Sequence, residues 1–182
     1  MSSVVLAGSS SGTLTIAAPA AAGTNTLTLP ASTSTIATTA DVSAVVTGKI
    51  LQIVQATQAT NVETTSSSYV ATGLTADITV SAGNKVLVLG YLNAVGVNAV
   101  TTGVKVGLFR ASTEINTPSL YAGYNTSSTN HNQQVALDFL DASPATGSNT
   151  YSVSFLKHTG SGTARVMIDN AMSKIILLEV SA

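Results

Sequence analysis

Lys85-Val86-Leu87-Val88-Leu89-Gly90-Tyr91-Leu92 is the stretch on which the fold turns. From Val86 to Leu89 every position is apolar, the pattern of a strand that must be covered on both faces. Ile175 to Leu178 has the same character, within a strand running to Val180. Val104-Lys105-Val106-Gly107-Leu108-Phe109-Arg110 behaves differently. There the valines face one way and Lys105 and Gly107 the other, as in a half-buried strand. Working outward, Ile50 to Val54, Tyr69-Val70, Ala76 to Val80, Val135 to Leu140, Tyr151 to Leu156 and Ala164 to Ile168 read as further strands. Gly, Asn, Ser or Pro stands at most junctions, and no segment of useful length has helical periodicity. About eight or nine short strands spaced in this way predict an all-β antiparallel sandwich of jelly-roll type.

Ahead of that body lies a segment of another kind. Residues 1–40 carry no charged side chain; the first is Asp41. Thr13-Leu14-Thr15-Ile16 and Thr26-Leu27-Thr28-Leu29 alternate with period two, and Thr35-Ile36-Ala37 is a fainter copy. Leu14, Ile16, Leu27, Leu29 and Ile36 therefore become the candidate contact residues of an extended arm. Such short, small-sided segments form no core alone, and their backbone needs a sheet, a neighbouring chain or another protein to pair with. Residues 41–48 read as a hinge, one helical turn capped by Asp41 and closed at Gly48. The expected organisation is an arm over 1–46 and a sandwich over 47–182.

Composition narrows the function. Charged residues are 8% of the 182, the net charge is −1, and cysteine and tryptophan are absent. The 27 Thr and 23 Ser supply hydroxyls where most proteins carry charge. With a pI near 6.0 there is no basic footprint for nucleic acid or an anionic membrane. Thiolate metal sites, disulfides and cysteine nucleophiles are excluded. No secretory leader or membrane-spanning run is apparent. A particle so short of charge, with this much aliphatic side chain, is expected to bury surface between subunits, as a homotrimer with an aliphatic interface.

Catalytic chemistry is hard to place. His131 sits in Asn130-His131-Asn132-Gln133-Gln134, and His158 follows Lys157 before Gly160-Ser161-Gly162. Neither has a carboxylate or second histidine at ligand spacing. Asp138 and Asp141 are oddly spaced and point to opposite faces of a strand, which is wrong for a paired acid and base. Asp169-Asn170 reads as a turn held by local side-chain hydrogen bonds. Tyr121 and Tyr124, with His131 in the same polar stretch Tyr121 to Gln134, form a candidate receptor-contact loop. The chain is expected to be no enzyme and to need no cofactor.

Gly12 to Pro30, with its Thr-Leu-Thr-Ile and Thr-Leu-Thr-Leu-Pro runs, resembles a segment recurring in fibre and minor structural proteins of tailed bacteriophages. Ala37-Thr38-Thr39-Ala40-Asp41-Val42 and Gly48-Lys49-Ile50-Leu51-Gln52 are similar to the joint leading to a C-terminal domain there. Tyr69 to Ala76, Lys85 to Val88 and Ile175 to Val180 resemble the head of that domain. The resemblance implies a β-rich, usually trimeric virion component without catalysis, and it carries over no active-site residue. Expected partners are the chain itself, the major capsid protein or another virion protein, and, for a fibre, a host surface receptor; nucleic acid and membrane are not expected. The expected location is the virion, on the outer capsid surface or in a head or tail fibre. The short arm leaves no room for a long shaft, which favours capsid decoration (cement) over a fibre. A non-viral surface filament subunit also fits the Thr-rich composition.

Overall fold

The computed structural model describes residues 3–7, 10–17, 23 and 49–182. Contacts divide the chain into two units, Met1–Asp41 and Val42–Ala182. In the first, β1 (Ser3–Ala7) and β2 (Thr13–Ala17) form an antiparallel hairpin in which Leu6 stands opposite Leu14. The Leu14 and Ile16 strand thus finds a partner within the arm itself, in Ser3-Val4-Val5-Leu6-Ala7, a stretch the sequence reading had not singled out. Val4, Val5, Leu6 and Ile16 are all exposed. A two-stranded ribbon is marginal in water by itself. Leu27, Leu29, Ile36 and the hinge at 41–48 lie outside the described residues, as does the Leu14 side chain.

The second unit is all-β and antiparallel. Its strands are β3 (Ile50–Gln58), β4 (Val62–Thr64), β5 (Val70–Val80), β6 (Lys85–Val97), β7 (Gly103–Arg110), β8 (Thr113–Ala122), β9 (His131–Asp141), β10 (Gly147–Thr159), β11 (Ala164–Val166) and β12 (Ser173–Val180). One sheet runs β5-β10-β7-β8. In the other, β6 is central: β9 takes one edge along nearly its whole length, while β12 and then β11 share the opposite edge. β3 and β4 pair with β12 and β11 in turn. Each of those pairs acts as one interrupted strand, giving the order β3/β4, β12/β11, β6, β9. The connections β4–β5, β5–β6, β6–β7, β8–β9, β9–β10 and β10–β11 all change sheet, and only β7–β8 is a hairpin within one. That alternation wraps the chain as a jelly roll.

Alternation along the strands builds the core. In β5, Thr72, Leu74, Ala76, Ile78 and Val80 are buried and every residue between them is exposed. They meet Val106, Leu108, Tyr151, Val153 and Phe155 of the same sheet, and Val86, Val88, Leu137, Ile175 and Leu177 of the other. The stretches Tyr69-Val70 and Ala76 to Val80, read as separate strands, are joined in one strand through Gly73. β5 runs through it at φ +81, and the β5–β10 register shifts at that point, the mark of a β-bulge. Between β11 and β12 the chain makes a short 3-10 turn with Met167, Asp169 and Asn170 all left-handed. The turn expected at Asp169-Asn170 is there. It is closed between backbone groups, Ala171 N–H donating to Ile168 O, rather than by either side chain.

Two polar clusters lock the sandwich. Asp141, turned inward at the end of β9, accepts hydrogen bonds from Arg110 and from the buried Tyr151 hydroxyl at 2.7 Å. Its other oxygen accepts from Ser143 N–H at 3.2 Å and starts the turn before Pro144. Burial, then the Asp141 carboxylate, pushes the Tyr151 phenol far above its ordinary pKa. Asp138 is exposed on the opposite face, so the two carboxylates are separated as their spacing requires. In the same row of the sheet, on the other side of Val86, Glu179 accepts from Asn84 Nδ2 at 2.7 Å and Ser81 N–H at 2.8 Å, tying the β5–β6 turn to β12. Those bonds hold its carboxyl below the ordinary range. Glu114 is lowered too: burial opposes this, but bonds from Tyr69, Thr117 and Lys105 outweigh it. A carboxylate depressed in the folded state adds stability above its unfolded pKa, and that stability is lost as pH falls through the folded value. Melting temperature is therefore expected to hold down to about pH 4 and drop below it, near the unfolded glutamate value. Glu179→Gln should flatten part of that drop; a full-sized drop in the variant would remove Glu179 from the account.

Candidate functional site

The apolar runs at Val86–Leu89 and Ile175–Leu178 do lie on central strands, but the described chain covers only one of their faces. Val86, Val88, Ile175 and Leu177 enter the core. Leu87, Leu89, Ile176 and Leu178 point the other way. Register lines them up: Leu178 stands opposite Ile53 on β3 and Leu87 on β6, and Leu87 opposite Leu140 on β9. The row Ile53-Leu178-Leu87-Leu140 thus crosses the whole sheet, with Ile176 and Leu89 paired in the next row. Ile53 is 63% exposed, Leu140 49% and Leu89 38%. Lys85, Lys174 and Asp138 flank the row, with Lys174 over the Tyr91 ring, and Glu63 and Arg165 stand opposite one another further along the same face. A contiguous aliphatic patch of this kind marks an interaction surface.

The outer face of the other sheet is built oppositely. Thr75, Asp77 and Thr79 of β5 lie beside Ser152, Thr150 and Ser148 of β10, and the Thr150 hydroxyl donates to Asp77. Next to them Tyr69 crosses Phe109 edge to face at 4.9 Å and donates to Glu114 at 2.6 Å. Gly107 makes room for that ring; a Cβ there would lie 2.8 Å from the Tyr69 hydroxyl. Lys105 pairs with Glu114 at 2.9 Å. This face is closed off by its own hydroxyls and one ion pair. The asymmetry between the two sheets is the main surface feature of the body.

The second candidate lies where β7, β8 and β10 end. Tyr121 and Tyr124 do come together, with ring centroids 5.9 Å apart and planes at 79°. Tyr121 belongs to strand β8, not to a loop, and Tyr124 sits in the turn beyond it. The third ring is His158 of β10, 4.7 Å from Tyr121 and nearly perpendicular to it. His131 opens strand β9 rather than sitting in a loop, and no ring contact joins it to the tyrosines. Its carbonyl instead backs Gly123 and Gly96, where an added Cβ would approach it. The loop proper is thus Gly123 to Asn130. Sequence had no means of pairing His158 with Tyr121, because only the β10–β7–β8 register brings them together.

Among the described residues no three of His, Cys, Asp and Glu group as a metal site, and no helix is long and apolar enough to cross a membrane.

No protein-family model and no curated protein matches the chain. Among solved structures, one described as infectious bursal disease virus, Gt strain, is similar over 73% of this chain at 11% identity and a TM-score of 0.41. The chain spans 39% of the length of that matched chain. At that score the likeness carries no argument about fold or function.

Proposed function

We propose that the chain is a non-enzymatic structural protein of a tailed-bacteriophage particle, a homotrimer that decorates and stabilises the capsid. The observation that carries this reading is the aliphatic row across β3, β12, β6 and β9, uncovered by the described residues, whereas hydroxyls line the outer face of β5 and β10 on the other sheet. A soluble particle with so little charge has few other means of hiding that surface than a second and third copy of itself. The resemblance of the 12–30 segment to phage structural proteins supplies the setting. The uncharged arm, with exposed Val4, Val5, Leu6 and Ile16, supplies an apolar anchor for the shell or another virion protein. The exposed tyrosine cluster favours a second reading, a short head or tail fibre with a receptor-binding tip.

Particles prepared without the protein and then given it back in purified form separate the two. Decoration predicts many copies rebinding to heads and restored resistance to heat or chelator, through linkage of shell stability to binding. Host adsorption stays unchanged. Rebinding should depend little on salt, because apolar and backbone contacts are weakly screened. If the free protein instead binds host cells and blocks infection while bare shells are equally robust, the fibre reading replaces it.

A further inference from the structure

We infer that the Tyr121-Tyr124-His158 corner is a binding site for neutral carbohydrate. Of the five tyrosines, three are engaged within the chain. Tyr151 is buried on Asp141, Tyr69 donates to Glu114, and Tyr91 lies under Lys174. Tyr121 and Tyr124 remain 52% and 45% exposed. Neither their hydroxyls nor the exposed His158 imidazole makes a hydrogen bond with the described residues. A chain with 4% aromatic residues thus places three rings edge to face, each exposed and with its polar tip unbonded among the described residues.

The backbone beneath holds this arrangement. Gly103 lies under the rings, and a Cβ there would sit 3.1 Å from Tyr121 and 3.6 Å from Tyr124. Tyr124 N–H donates to the Tyr121 carbonyl at 3.2 Å, and Thr101 N–H to the Asn125 carbonyl at 2.7 Å. Asn125 Oδ1 gathers the N–H groups of Ser127 and Ser128 at 3.2 and 2.6 Å, and Gln133 accepts from Gly123 N–H at 3.1 Å. The rings are therefore presented on a fixed corner.

The chemistry around them selects the ligand. Thr126, Ser127, Ser128, Thr129 and Asn130 follow Tyr124 in an uncharged, hydroxyl- and amide-bearing loop. Flat aromatic faces suit the C–H face of a pyranose, and phenol, imidazole and hydroxyl groups suit its hydroxyls. The three rings carry no carboxylate or ammonium group, and the Arg165 guanidinium donates to Asn130 Oδ1 at 2.9 Å at the end of the loop, so the rings themselves suit a neutral sugar. The site would serve on a decorated head or a fibre alike, so it does not depend on which reading of location holds.

The test is saturation-transfer NMR of the full chain with maltose, lactose and chitobiose at millimolar concentration, followed by an array of neutral and acidic glycans. Transfer to at least one neutral sugar is expected, little changed by added salt. Tyr121→Ala and Tyr124→Ala should each weaken binding by about tenfold, the scale of one lost ring contact. His158→Ala should weaken it less, and melting temperature should be unchanged in all three, since none of these rings is in the core. No transfer from any neutral glycan, binding confined to acidic glycans, or binding that survives the tyrosine substitutions would each overturn the proposal.

Discussion

Ile53→Asp or Leu140→Asp is expected to turn the assembled protein into folded monomers. The two residues stand at opposite ends of the aliphatic row and are its most exposed members. In a lone subunit an aspartate at either place keeps most of its water, so the fold should tolerate it. Between subunits the same carboxylate would be buried without a partner, at an effective cost of several kcal/mol per contact. The wild-type row loses in addition about 1 kcal/mol or more for each half-exposed Leu or Ile left in water. Sedimentation at micromolar concentration should show the trimer mass for the native chain and one-third of it for each variant. Thr75→Asp, on the hydroxyl-covered face, should leave the mass unchanged. A native chain that sediments as a folded monomer, or variants that keep the native mass, would refute assembly through this face.

Gly90→Ala is expected to have the largest effect on folding. Gly90 sits in the central strand at φ +149, directly opposite Ile175 of β12. A Cβ there would lie 2.1 Å from the Lys174 carbonyl oxygen and 3.1 Å from the Ile175 Cα, both backbone atoms that no rotamer change can move. The strands would have to separate in the middle of the sheet, so a loss of about 3 kcal/mol or more is expected. Gly147 is the matched control: its φ is +98, and an added Cβ meets nothing within 4 Å. Gly147→Ala should cost only the backbone term, about 1 kcal/mol. Denaturant melts of the two variants measure the difference. Equal losses would mean that conformation, not the approach of β12, makes Gly90 necessary.

The elements that sequence revealed are those whose environment is uniform along their length. β7 alternates because one face meets the core and the other meets Tyr69 and Glu114. β6 and β12 read as continuous apolar runs because they are central in the sheet. What sequence could not say was whether the second face of those runs is covered by the same chain. β8 escaped for a physical reason. It is the edge strand of its sheet, carries Pro118, and pairs with β7 through three register shifts, so it keeps no period. β1 escaped because Ser3 to Ala7 has no alternation to announce it. Tyr121 and Tyr124 were legible as a pair from their spacing alone. His158, 34 residues beyond Tyr124, joins them only through strand order.

The way the sandwich is closed has a consequence for building with it. β3 and β12, the first and last strands of the body, are neighbours, and Ser181 N–H still donates to the Lys49 carbonyl at 3.2 Å beyond the last strand pair. The polypeptide therefore enters and leaves the jelly roll at one corner. A module with adjoining ends can be spliced into a surface loop of another protein, or cut elsewhere and rejoined by a short linker, without prising any strand from its neighbour. A peptide or enzyme appended after Ala182 would emerge at the corner where Lys49 leads into β3. The body is in that sense a plug-in part, with a single point of attachment through which any cargo and any tether must both pass.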